Sequence, residues 1–261
     1  MTDLKHLDLK LGKETDEGTL DAVPRSLSRE NLKGESSFFG HDLWNAYEVS
    51  FLLPNGKPVV YHMQARYDAR TPNIVESKSF KLYLNSFNNR VMQNKDEFAA
   101  EVRQALSACV GGDVSLQFFG VGDSPVGGLL EGECIDDLNF QPGLPLKRWL
   151  NPSGSFTWHS HLLRSRCPVT GQPDWGALWV HGRGPTGIDP ESLLSYVVGM
   201  REHQDFHEAC CERIYAELHA LLNPDFLDVA CYYTRRGGLD INPRRMSMPG
   251  GAIHTAPIWR Q

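Results

Sequence analysis

The sequence predicts a duplicated α+β fold, and three observations carry that expectation. Two strand-like runs, "LWNAYEVSFLL" and "PVVYHMQARYD", flank an Asn55-Gly56 turn, a strong hairpin signal. Phe80, Tyr83, Leu84 and Phe87 then fall at i, i+3, i+4 and i+7, which is helical spacing. The order strand–strand–helix–helix–strand–strand can be read twice along the chain, with the division near residue 145.

Residues 1–40 are polar and irregular, with "VPRSLSREN" reading as an extended arm. The first module, 41–145, opens with the hairpin and continues into the helix "ESKSFKLYLNSFNN". A second helix, "KDEFAAEVRQALSACV", stops at Gly111-Gly112. "DVSLQFFGV" and "LEGECIDD" read as a closing pair of strands. The second module, 146–261, repeats the order: "SFTWHSHLLRSRC" and "WGALWVHGRG" as strands, then two helical segments. The first of these has Asp189 at the N-cap and Pro190 at N1. The second is "FHEACCERIYAELHALLN", and "FLDVACYYTRR" returns to strand. Neither module has enough strands to close a sheet, and open edges invite pairing. An oligomer joined sheet edge to sheet edge is therefore expected.

At 261 residues, 41% hydrophobic and 22% charged, the composition is that of an ordinary globular protein. A net charge of −6 argues against a general nucleic-acid binder, although a local basic pocket for an anion is compatible with it. No signal-peptide core can be drawn in "MTDLKHLDLKLGKETDEG", and no apolar run approaches the ~20 residues that span a bilayer. Six cysteines without a C-x-x-C pair read as reduced thiols in a cytoplasmic protein.

The stretch "RSRCPVTGQPDWGALW" sets Cys167 seven residues before Asp174, across a turn built from Gly171 and Pro173. Arg164 and Arg166 would favour a thiolate, and Asp174 could pass protons to and from a covalent adduct. A small buried cysteine at a strand end is an equal reading of the same residues. "HQDFHEACCERIYAEL" puts His207 on the shoulder of an apolar helix face and Glu208 about 100° away. An ordinary amphipathic helix explains that pattern better than a site does. "HEACC" lacks the second ligand of a zinc helix motif, and His159 with His161 does not by itself make a site, so no metal is expected. "ESKSFKLY" begins a helix whose N–H groups suit a phosphate, the alternative being a capped, solvated first turn. Arg235, Arg236, Arg244 and Arg245 around Gly237-Gly238 read as an anion site. "GVGDSPVGG" opens no helix and is broken by Pro125, so no dinucleotide fingerprint is present.

Together "VPRSL", "ESKSFKLYLNSFN", "CIDD", "QPDWG", "FHEACCERI" and "YTRRGGLDINP" resemble, nearly end to end, the long two-module nitrile reductases of queuosine biosynthesis. These are the NADPH-dependent 7-cyano-7-deazaguanine reductases. The resemblance implies the tunnelling fold shared with GTP cyclohydrolase I, in which tandem ββααββ modules join antiparallel sheets edge to edge, here as a homodimer. It implies Cys167 as the nucleophile forming a thioimide, Asp174 as proton donor, and His207 beside them. It further implies that Val75, Glu76, Ser77, His207 and Glu208 hold the base, and that Ser77, Lys78, Arg236 and Gly237 contact NADPH. Two NADPH would be consumed per nitrile, with no catalytic metal, nucleic-acid partner or membrane. The product would be 7-aminomethyl-7-deazaguanine. Cys210, Cys211, Arg244 and Arg245 have no family role that can be assigned. Three rivals remain: a zinc hydrolase of the same fold, a non-catalytic purine-binding module, and a cysteine hydrolase using Cys167, His207 and Asp174.

Overall fold

A computed structural model describes residues 18–30, 32, 38–120, 122–125, 127–250 and 257–261. The first seventeen residues of the expected arm lie outside it. In chain order come β1 (Ala22–Pro24), α1 (Ser26–Arg29), β2 (Phe39–Leu52), β3 (Pro58–Asp68), β4 (Asn73–Val75), α2 (Ser77–Asn85), α3 (Lys95–Val110) and β5 (Val114–Phe119). They are followed by β6 (Glu133–Cys134), β7 (Arg148–Leu150), β8 (Ser155–Ser160), β9 (Arg164–Arg166), β10 (Pro173–Arg183) and β11 (Thr186–Ile188). The chain ends with α4 (Pro190–Gly199), α5 (His207–Leu222), β12 (Phe226–Tyr233) and β13 (Leu239–Met246). The fold is mixed α+β. No helix among the described residues is long and apolar enough to cross a membrane.

Contacts divide the chain into two compact units. The first comprises residues 1–26, 43–125 and 235–240. Its strands run in the order β5-β3-β2, with β3 and β5 antiparallel. The Asn55-Gly56 turn closes through Leu53 N–H to Lys57 O at 2.9 Å and Gly56 N–H to Leu53 O at 2.8 Å. Aromatic side chains form the core beneath α2 and α3: Phe98 lies 5.1 Å from Phe51 and 4.8 Å from Phe87, centroid to centroid. α3 begins on Asn94, whose side chain accepts from two backbone N–H groups, and stops at Gly111 in the left-handed region. Residues 235–240 belong to this unit because Asn45 donates to Asp240 at 2.7 Å, Tyr47 donates to its other oxygen at 2.5 Å, and Tyr47 N–H donates to Gly238 O. The Gly-Gly turn thus packs with the first half of the chain, although in sequence it lies in the second.

The second unit comprises residues 27–42, 126–234 and 241–261. Its strands run β12-β10-β8-β6, with β9 also on β10 and with β13 beside β12. α5 covers one face, burying Cys211, Ile214, Tyr215 and Leu218, and the Cys211 thiol lies 3.4 Å from Pro243 O. Deeper still is a closed ionic group. The fully buried Arg245 guanidinium donates to Asp42 at 2.8 Å and to Glu212 at 2.8 Å, and Glu212 also takes Arg29 at 2.7 Å. Burial alone would lower the Arg245 pKa, but Asp42 and Glu212 overcome it and hold the group firmly protonated.

Three sequence expectations change here. "LEGECIDD" is not the partner of the strand before it: only Glu133–Cys134 is extended, and it runs parallel to β8. The arm is not irregular throughout, since Ala22–Pro24 pairs with β4 and Ser26–Arg29 is a helical turn. "LDINPRRM" is a strand, buried at every position, which alternation could not reveal because its buried residues include Asp240, Asn242, Arg244 and Arg245.

Candidate active site

The hairpin of β9 and β10 positions the thiol. Its register sets Ser165 opposite Asp174 and Arg166 opposite Pro173. Cys167 N–H donates to Gln172 O at 2.9 Å, so the ladder continues one residue further, and Gly171 N–H returns to Cys167 O at 3.0 Å. Side chains alternate along a strand. Cys167 therefore shares a face with Ser165 and becomes the diagonal neighbour of Asp174. The Gln204 amide fixes the loop by donating to the carbonyls of Cys167 and Pro168 at 3.1 and 3.2 Å. Cys167 is half-buried, whereas Asp174 is only 4% exposed. The Arg166 guanidinium pairs with a carboxylate, lying 2.8 Å from Glu202.

His207 meets Asp174 from the other side. It is the first residue of α5, and its Nε2 stands 3.3 Å from Asp174 Oδ2. The ring lies flat on Tyr233, with centroids 3.7 Å apart and planes 9° from parallel. Tyr233 ends β12 opposite Gly176. A Cβ at Gly176 would come 2.9 Å from Tyr232 O and 3.2 Å from the Tyr233 ring, so the glycine of "PDWG" makes room for the ring that supports the imidazole. His207 Nδ1 is buried and has no hydrogen-bond partner among the described residues. Glu208, next along, is 3% exposed in the first turn, where the helix dipole favours a carboxylate. The segment leading into α5 is held by Ser28, which donates to Asp205 at 2.9 Å, while Asp205 accepts Phe206 N–H at 2.8 Å.

The other thiols are less suited to attack. Burial pushes Cys210 well above the usual thiol range and Cys109 up to about 11. Cys231 is likewise raised by burial. Cys134 is exposed but lies outside this hairpin.

In the first unit, Val75 is buried in β4, and Glu76 is the N-cap of α2. The Glu76 carboxylate accepts Lys78 N–H at 2.9 Å and Ser79 N–H at 2.6 Å. Those donors are therefore already engaged, and the expected phosphate cradle of bare N–H groups is not formed. What the helix offers an anion is its side chains. Lys81, one turn beyond Ser77 and Lys78, lies under the 235–238 turn: a Cβ on Gly237, at φ 59°, would meet Lys81 Nζ at 2.5 Å. Lys78, Lys81 and Arg236 thus belong to one unit.

Two other expectations fail. Arg244 and Arg245 do not join an anion site, because both are used up in buried ion pairs, Arg244 with Asp228 and Arg245 as described above. Arg235 leans on Glu48 at 3.4 Å. Sequence reasoning also missed Tyr233 and Gly176. The adjacent aromatics of "YYTRRGG" and the glycine after Asp174-Trp175 were the available signals. A cavity of about 550 Å³ in the second unit, lined by Trp179, His181, Asp228, Tyr232 and Arg244 among others, includes none of the residues expected to act on the nitrile, the base or NADPH.

Comparison with known proteins agrees with these motifs. Residues 12–118 match the family described as "Nitrile reductase, 7-cyano-7-deazaguanine-reductase N-term", and 173–249 match "QueF-like protein". The chain is 43% identical over 255 residues to an NADPH-dependent 7-cyano-7-deazaguanine reductase of Teredinibacter turnerae, covering 93% of this chain and 92% of that one. Among solved structures, it matches the apo archaeosine synthase QueF-Like at 17% identity, with a TM-score of 0.32, over 41% of this chain and 96% of that one.

Proposed function

Because the chain belongs to the family of NADPH-dependent 7-cyano-7-deazaguanine reductases, we propose that it reduces the nitrile of 7-cyano-7-deazaguanine to the primary amine. The observation that carries the reading is one strand register. It aligns Cys167 on the face of Asp174, and Asp174 Oδ2 lies 3.3 Å from the imidazole of His207.

The Cys167 thiol adds across the nitrile: the S–C bond forms, one C–N π bond opens, and the thiol proton passes by way of Asp174 to nitrogen, giving a thioimide. Bound NADPH supplies hydride, of which two equivalents separate nitrile from amine. Asp174 protonates the nitrogen, and His207 can return a proton to Asp174. After the first reduction the nitrogen lone pair expels the Cys167 thiolate as the C–S bond breaks. The sulfur is then ready for another turnover, and the released iminium carbon accepts the second hydride. Glu208 and Glu76 accept from the amino and ring N–H groups of the base, since an ionised carboxylate is purely an acceptor. His207 and the backbone at Val75 and Ser77 line the same base. Ser77, Lys78 and Arg236 would hold the NADPH phosphates, with Gly237 beside them, where the missing Cβ lets the Lys81 side chain approach.

The same proposal includes the tunnelling fold, its two tandem ββααββ modules over 41–145 and 146–261, and a homodimer formed by sheet-edge pairing. The repeated order of strands and helices supports it. A cytoplasmic setting is supported by free cysteines at 109, 134, 167, 210, 211 and 231.

The test is to incubate the protein with 7-cyano-7-deazaguanine without NADPH and to record the intact mass. Wild type should gain one substrate mass, and Cys167→Ala none. An unmodified wild type that still reduced the nitrile would overturn the covalent step. A thiol beside a carboxylate–imidazole pair also fits a hydrolase. That reading predicts an acid product with no loss of nicotinamide absorbance once NADPH is added.

A further inference from the structure

The segment "CIDD" plays no part in the reaction above, yet the fold builds something specific around it. β6 runs parallel to β8 with Cys134 directly opposite His159. Paired residues share a face, and so does the residue two further along, which is His161. The Cys134 sulfur and one nitrogen from each imidazole all lie within 4.8 Å of one another.

The surroundings orient these groups. His159 Nδ1 is 3.2 Å from Glu131 O, a carbonyl that can only accept. The ring proton therefore sits on Nδ1, and the Nε2 lone pair is left for another partner. His161 Nδ1 is buried and has no hydrogen-bond partner among the described residues. Ser160, between the two histidines, points the other way and donates to Asp136 Oδ1 at 2.6 Å. Asp136 also accepts His161 N–H at 3.0 Å, so it ties the segment after Cys134 to the end of β8. Ile135 N–H adds a bond to His159 O at 2.9 Å. Glu131, Glu133, Asp136 and Asp137 surround the cluster in sequence with negative charge, which favours a cation.

We propose that Cys134, His159 and His161 form a site for a soft divalent cation, zinc in particular, that shares no residue with the reductase hairpin. One thiolate and two imidazoles suit zinc rather than magnesium or calcium. Three protein ligands leave a fourth position for water or an exogenous ligand. Binding releases the Cys134 proton to solvent as the S–metal bond forms, with no change of oxidation state. The bound ion clips β6, which has only two residues, onto β8.

Cobalt(II) is the probe, because a thiolate ligand gives it a charge-transfer band in the near ultraviolet. Titration of the full-length, chelator-treated protein should produce that band, saturating at about one equivalent per chain. Cys134→Ser should lose the band, and His161→Gln should weaken it, with circular dichroism unchanged in both. Cys167→Ala should retain it. Zinc should raise the melting temperature of wild type and leave that of Cys134→Ser unmoved. No band in wild type, a full band in Cys134→Ser, or loss of the band in Cys167→Ala would each overturn the assignment.

Discussion

Two buried polar groups of the second unit make an instructive contrast. Arg245 with Asp42, Glu212 and Arg29 is closed: charges alternate, and the guanidinium is spent on acceptors of the chain itself. Asp174 with His207 is built just as firmly, on a strand register and an aromatic stack, but His207 Nδ1 is left without a partner among the described residues. A buried polar atom with no partner costs about 1–3 kcal/mol, and a fold retains such an atom where a ligand completes it. The closed group holds α5 in place, and the open one stands at its N-terminus.

The sharpest way to separate the two is to remove the sulfur beside the open group. Cys167→Ala should reduce turnover to background and abolish the mass adduct, with an unchanged melting curve. Residual nitrile reduction would show that the open group acts without the thiol. The closed group predicts the reverse. Arg245→Met leaves Asp42 and Glu212 buried without their cation and should cost about 3–5 kcal/mol in stability by denaturant titration, with kcat per folded molecule near wild type. A stable variant would mean that the ionic group is dispensable.

Asp174→Asn keeps the shape but cannot cycle a proton. Turnover should fall by at least ~100-fold while base affinity, measured by calorimetry, changes little. Equal rates would remove Asp174 from proton transfer. The smallest effect is expected in the first unit: Arg236→Ala should raise the NADPH Michaelis constant roughly tenfold and leave adduct formation intact, since addition of the thiol needs no hydride. A normal Michaelis constant, or a folded variant unable to form the adduct, would place the phosphates elsewhere.

What could be read in advance followed from the range of the interactions involved. α3 and α4 were legible to the residue at their starts because Asn94 and Asp189 cap them with bonds spanning two or three positions. The Asn55-Gly56 hairpin was legible for the same reason. Cys167, Asp174 and His207 were named through motifs, yet the stack of His207 on Tyr233 joins residues 26 apart in sequence, and no periodicity encodes it. β13 was hidden because its buried arginine and aspartate side chains look like surface until their partners are known. Arg245 finds Asp42 203 positions away.

Composition, caps and turn residues, acting over a few positions, determined the α+β class and most helix boundaries. Tertiary structure alone decided which arginines are saturated by carboxylates, that Glu76 closes its own helix end, and that Gly237 rests on Lys81. Those outcomes depend on which partners burial brings within a hydrogen-bond length, and charges that look alike in sequence become unlike once some of them have been neutralised inside the fold.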